Sequence, residues 1–93
     1  MEIKDNELLR QFEINTEVGL VAIEYAIQES KLFLTKFCAN SNLDEELHNE
    51  FIGNVLEIAI ERKFKVVPTN AKFISFFRKN KKYADLLPPG IKI

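Results

Sequence analysis

The stretch EVGLVAIEYAIQESKLFL, residues 17–34, decides what kind of fold this chain adopts. Read with a period of two, Val21, Ile23, Tyr25 and Ile27 share one strand face, while Val18, Leu20, Ala22 and Glu24 share the other. That pattern predicts a strand buried on much of both sides. Read with a period of 3.6, Leu20, Ile23, Ile27 and Leu34 make one helical stripe. The residues alone leave both readings open. On the strand reading, Gln28 to Lys31 turn the chain, and Leu32 to Ala39, apolar on both faces, follows as a central strand.

Upstream, Phe12 and Ile14 alternate with Gln11 and Glu13, and the polar residues Asn15 to Glu17 suit a hairpin turn. Downstream the period changes. Leu47, Phe51, Val55, Leu56, Ala59 and Ile60 recur at helical spacing behind Asn42 and Glu45, a capping-box signature. Lys65 to Val67 reads as a short strand closed by Pro68. Thr69 or Asn70 then caps a second helix with Phe73, Phe76 and Phe77 on its buried stripe. The expected elements are strands near 9–15, 18–27 and 32–39, a helix near 44–62, a strand at 65–67 and a helix near 70–80. Phe51, Val55, Phe73 and Phe77 are the expected core.

Composition narrows the function classes. Ninety-three residues, 46% hydrophobic and 29% charged, suit one α+β domain, too short for two cores and too apolar for a disordered chain. A chain this small hides only about 60–65% of its unfolded surface, so any substrate site is expected to be shallow. The N-terminus lacks the basic flank and apolar run of a signal peptide, and Glu24 interrupts the longest apolar run, which predicts a cytoplasmic protein without a membrane span. One cysteine, Cys38, and one histidine, His48, are too few for a transition-metal site. Residues 1–50 carry a net −7 and residues 51–93 a net +6. Attraction between the two halves across the fold is the expected reading of that asymmetry, ahead of an anionic partner.

Several segments together resemble the small GNAT-like N-acetyltransferase family, a miniature branch of the GNAT superfamily. They are Ile3 with Asp5-Asn6-Glu7, the Phe12-Glu13 and Ala22-Ile23-Glu24-Tyr25 strands, Leu34-Thr35, and Leu56-Glu57-Ile58-Ala59. The most specific are KVVP, Lys65 to Pro68, and Tyr83-Ala84-Asp85-Leu86-Leu87, where the family has P-E-Y-x-D-L. The resemblance spans residues 3–87 as one domain and leaves 88–93 as a tail. It implies a curved, mostly antiparallel sheet with two main helices, and so favours strands before Leu34. It also implies acetyl-CoA as cofactor, a small amine or protein as partner, and either a monomer or a homodimer. The strand end Phe37, Cys38 and Ala39 would offer backbone hydrogen bonds to the thioester and pantetheine. The segment Leu43 to His48 with Asn49, and Asn70 after KVVP, fall at the other cofactor-binding positions.

The same comparison exposes departures. After L-T the family reads H-T-E-V-P, whereas this chain has Lys36-Phe37-Cys38-Ala39-Asn40, without the histidine or the glutamate. A Gly-x-Gly loop that frees helix amides for a pyrophosphate is replaced by Leu43-Asp44-Glu45-Glu46-Leu47-His48. A cysteine after KVVP is replaced by Asn70, and an amide is not a nucleophile. The resemblance therefore implies an acetyltransferase with degenerate motifs, no assigned catalytic residue and weakened CoA binding. The alternative is a non-catalytic protein-interaction or small-ligand-binding module on the same fold.

Single residues carry narrower expectations. Cys38 reads as a buried strand thiol, protonated and slow to react, and His48 as a solvated histidine at a helix start. Tyr83 fits a proton donor or an aromatic that pins the C-terminal tail equally well. Helical spacing puts Phe73, Phe76 and Phe77 inside and Lys72, Ser75 and Lys79 outside. That is a core stripe rather than a stacking platform, and no nucleic acid is expected as a partner.

Overall fold

A computed structural model describes residues 1–40, 44–91 and 93. Its elements are β1 (Lys4–Asn6), β2 (Gln11–Thr16), β3 (Gly19–Gln28), β4 (Lys31–Cys38), α1 (Glu45–Glu61), β5 (Lys65–Pro68), α2 (Ala71–Lys79) and a 3₁₀ segment, Lys81–Leu86. The strands form one five-stranded sheet in the order β1-β2-β3-β4-β5. Neighbours are antiparallel except β4 and β5, which run parallel across the α1 crossover.

Residues 17–34 are strand, not helix. A two-residue hairpin loop, Glu17 and Val18, joins β2 to β3 with Thr16 opposite Gly19. Gly19 has φ +116°, a backbone conformation that side chains rarely adopt, so glycine suits the start of β3. Glu29 and Ser30, both at positive φ, make the tight turn into β4.

The helix side of the sheet holds the core. Phe12, Ile14, Val21, Ile23, Tyr25, Leu32, Leu34 and Val66 meet Phe51, Ile52, Val55, Leu56 and Ala59 of α1 and Phe73, Phe76 and Phe77 of α2. All four aromatic and aliphatic residues expected inside, Phe51, Val55, Phe73 and Phe77, are buried. β3, however, is not buried on both sides. Val18 and Leu20 are 67% and 44% exposed, and only Ala22 of that face is buried. The reason is architectural: the core cluster lies on the other face, and none of the cross-strand row Lys4, Glu13, Ala22 and Cys38 belongs to it.

The register of β4 changes partway. Glu24 pairs with Lys36 but Tyr25 pairs with Leu34, leaving Thr35 as an extra, bulged residue whose Oγ1 donates to the Glu24 carbonyl at 3.1 Å. The bulge puts Phe37 and Ala39 on the same core side as Leu32 and Leu34. Two elements escaped the hydrophobic pattern. β1 is only three residues long, and the 3₁₀ segment buries just Tyr83 and Leu86. The first expected strand also begins later, at Gln11, and its turn is shorter. The expected cap Asn42 lies outside the described residues; the N-cap of α1 is Asp44, whose side chain accepts from the Leu47 N–H.

Candidate functional site

Strands β4 and β5 start side by side and end apart. Their pairing runs from Lys31 opposite Lys65 to Leu34 opposite Pro68; β4 then continues to Cys38 paired with β3 alone. Pro68 has no N–H to extend the ladder. The point of separation is pinned: Thr69 donates to the Leu34 carbonyl from both N and Oγ1, at 3.2 and 2.8 Å. Asn70 Nδ2 donates to the Thr35 carbonyl at 3.4 Å, while its Oδ1 accepts from the N–H groups of Lys72 and Phe73 and starts α2. A wedge opens between the last turn of strand, Lys36 to Cys38, and the first turn of α2.

Three side chains from three elements close in on that wedge. The ring of Phe37 lies 4.8 Å from the His48 ring and 6.2 Å from both Phe51 and Phe73. Lys72 Nζ sits 4.6 Å from the Phe37 ring centroid and 3.4 Å from His48 Nδ1. His48 is only 2% exposed, which corrects the expectation of a solvated histidine. Its position explains the burial, because it lies three and four residues before Phe51 and Ile52 on the inward stripe of α1. Burial pushes its pKa below the ordinary value, and the nearby Lys72 ammonium pushes it the same way, against the smaller pull of Asp44 and Glu45. Lys72 likewise leaves its expected outward place and leans across Phe37.

The remaining residues of the expected site divide. Ala39 packs against the core beside Phe37, and Asn70 sits at the separation point. The Cys38 side chain belongs to the opposite face, where Sγ donates to Glu24 Oε2 at 3.4 Å. It is half-buried rather than enclosed, and burial with the Glu24 hydrogen bond raises its pKa, so the thiol stays protonated. Asn49 is exposed on α1, and Leu43 lies outside the described residues. Lys72 is not among the expected cofactor-binding residues. The available signal was the asparagine cap at Asn70, which places Lys72 in the first helical turn directly after β5.

The other end of the wedge bears on the fit of a coenzyme. The Asp44 side chain takes the Leu47 N–H at 3.0 Å, its carbonyl takes the His48 N–H at 3.1 Å, and Glu45 and Glu46 stand in the first turn. The positive end of α1 is thus already answered by carboxylates, and the residues present do not fit a pyrophosphate there. A cavity of about 500 Å³ nearby is walled by Val18, Leu20, Val21, Ala39, Leu47 and His48.

Tyr83 pins the C-terminal segment. Its hydroxyl donates to Glu57 Oε2 at 2.8 Å, its ring lies 6.0 Å from Phe76, and burial with that carboxylate raises its pKa to about 12. Among the described residues no cluster of three or more His, Cys, Asp or Glu could hold a metal ion, and no helix is long and apolar enough to cross a membrane.

No family model matches the chain, and no curated protein does. Among solved structures it is similar to a solution structure described as a "GCN5-like putative N-acetyltransferase" from Staphylococcus aureus. The two share 20% identity with a TM-score of 0.74, over 98% of this chain and 90% of that one. The fold is therefore GNAT-like: an α+β domain with a mostly antiparallel sheet and two main helices.

Proposed function

We propose that this is a small GNAT-like N-acetyltransferase domain with degenerate motifs, which meets an acyl thioester at the β4/β5 separation but holds coenzyme A weakly. The observation that carries the reading is the separation itself: β4 runs on to Cys38 beyond the last β5 pair, leaving the Lys36 to Cys38 edge facing the wedge. That edge suits the carbonyl and amides of an acylated pantetheine. The acidic start of α1 does not suit the pyrophosphate. Losing about two charge-assisted amide contacts, each worth roughly 1.5–3 kcal/mol, lowers affinity by about two to four orders of magnitude.

The acceptor in this reading is a small amine or an amine on a protein, in the cytoplasm, without nucleic acid. The second reading is a non-catalytic interaction module, favoured by the carboxylates that occupy the α1 terminus. Calorimetric titration of the whole chain with acetyl-CoA at about 0.15 M salt separates the possibilities. Binding in the millimolar range is expected. A dissociation constant below about 10 μM would reject the weakening, and the absence of any binding or thermal protection at millimolar coenzyme would leave the interaction module.

A further inference from the structure

After Lys79 the chain changes its helical period, and that change makes a groove. Asn80 ends α2, its N–H and its Nδ2 both donating to the Phe76 carbonyl, at 3.0 and 2.9 Å. Its own carbonyl takes the Tyr83 N–H at 3.1 Å and starts the 3₁₀ segment. With three residues per turn, positions i and i+3 of that segment fall in one row. Tyr83 and Leu86 are the buried row, tied down by the Tyr83 hydroxyl on Glu57. Lys81 and Ala84, continued by Leu87, form another row, which lines a cavity with Phe77 and Arg78 from the last turn of α2. With Ile93 they enclose about 470 Å³, within the range of small-molecule sites. Ala84 carries the smallest side chain of the six and leaves the room.

The lining divides by chemistry. Phe77, 1% exposed, Ala84, Leu87 and Ile93 are apolar, while Arg78 and Lys81 are exposed cations. Among the described residues the ion pairs are Lys31 with Glu29 and Arg62 with Asp5, so neither groove cation has a carboxylate partner. Four of residues 78–82 are cationic, and Asp85, outside the groove wall, is the one acid in residues 71–93. Arg78 alone would be an ordinary complement to the negative end of α2. Lys81 is not explained that way, because it opens the next segment, where a helix end favours anions.

We propose that this groove binds a small organic carboxylate with an apolar body, the hydrocarbon lying on Phe77, Ala84 and Leu87 and the anionic end between Arg78 and Lys81. The site is separate from the wedge and needs no coenzyme. Burial of the hydrocarbon supplies most of the affinity. The cations are exposed and screened, so they chiefly select the sign of the charge.

Three probes test this on the intact chain by amide chemical-shift titration: octanoate, octylammonium and inorganic phosphate, each to about 10 mM at about 0.05 M salt, where screening is modest. Octanoate has both the body and the charge, octylammonium the body with the wrong charge, and phosphate the charge without the body. Octanoate alone is expected to saturate, with a dissociation constant of about 1 mM or tighter and its shifts centred on Phe77, Arg78, Lys81, Ala84 and Leu87. Arg78→Gln with Lys81→Gln should weaken it about fivefold or more, and Ala84→Glu, which puts a carboxylate into the groove, should abolish it. All three positions are exposed, and the same spectra report whether the fold is kept. No saturation by octanoate, or shifts centred elsewhere, overturns the site. Equal binding of octylammonium or of phosphate overturns the ligand class, as does an unchanged affinity in the double variant. None of these outcomes moves the acetyl-CoA titration, which tests the wedge.

Discussion

Buried histidine is where this molecule departs furthest from its sequence pattern. His48 sits among Glu46, Asn49 and Glu50, and its neighbours advertise a surface. Helical geometry sets that aside, because the side chain lies on the same stripe as Phe51, Ile52 and Val55 and meets Phe37 from β4. The linkage has a definite sign. An unfolded histidine titrates near about pH 6.5, and the folded value is lower, so the native state binds fewer protons just below that pH. The stability this contributes is complete above about pH 6.5 and is lost as pH falls through it toward the folded pKa. Urea denaturation at about pH 7.5 and about pH 5.5 should show the original chain losing more stability than His48→Phe. Equal losses would mean that His48 titrates alike in both states. Lys72 was equally hidden, since its side chain's partners come from two distant segments that no local spacing brings together.

Elements with one strong period were legible. α1 and α2 announce themselves through Phe51, Val55, Phe73 and Phe77, which are 0–1% exposed. Truncation of Phe77 to alanine leaves a cavity between α2 and the rest of the core, at an expected cost of about 3–5 kcal/mol. A loss under about 1 kcal/mol by chemical denaturation would show α2 to be loosely packed. β3 was ambiguous because its apolar run satisfies both periods, and the resemblance, rather than the pattern, favoured the strand. Its outer face was misjudged for a physical reason: apolar residues in sequence say nothing about whether another layer exists to cover them. Val18 and Leu20 remain in solvent for want of one. β1 was invisible at three residues, with Lys4, Asp5 and Asn6 offering no apolar repeat.

Across the whole molecule the charge asymmetry resolves into at least one defined contact. Asp5 on the edge strand accepts from Arg62 Nη1 at 2.7 Å and from the Tyr25 hydroxyl at 2.6 Å, joining the acidic first half to the end of α1. Arg62 also lies over the Phe12 ring, 5.9 Å from its centroid. This tie fixes an edge strand that has only three pairs of its own. Asp5→Asn keeps an acceptor for Tyr25 but removes the charge, and because Arg62 is about half exposed the expected loss is modest, about 0.5–1.5 kcal/mol. The difference between Asp5→Asn and the original chain should shrink in high salt, and a difference that salt leaves untouched would assign the effect to packing instead.

The extra residue in β4 has an implication for how this chain can change over time. Upstream of Thr35 even-numbered residues face the core, and downstream of it odd-numbered ones do. Removing that single residue would restore an unbroken alternation, with Leu34 inward, Lys36 outward and Phe37 inward, so Phe37 and Ala39 would keep the core side and only the kink and the Thr35 bond to the Glu24 carbonyl would go. The bulge is thus the one place along β4 where the number of residues can change without exchanging its two faces. An aligned relative that lacks one position between Leu34 and Phe37 is therefore expected to keep the same inward residues on a strand without the kink, whereas a one-residue loss elsewhere in β4 would turn part of the strand over.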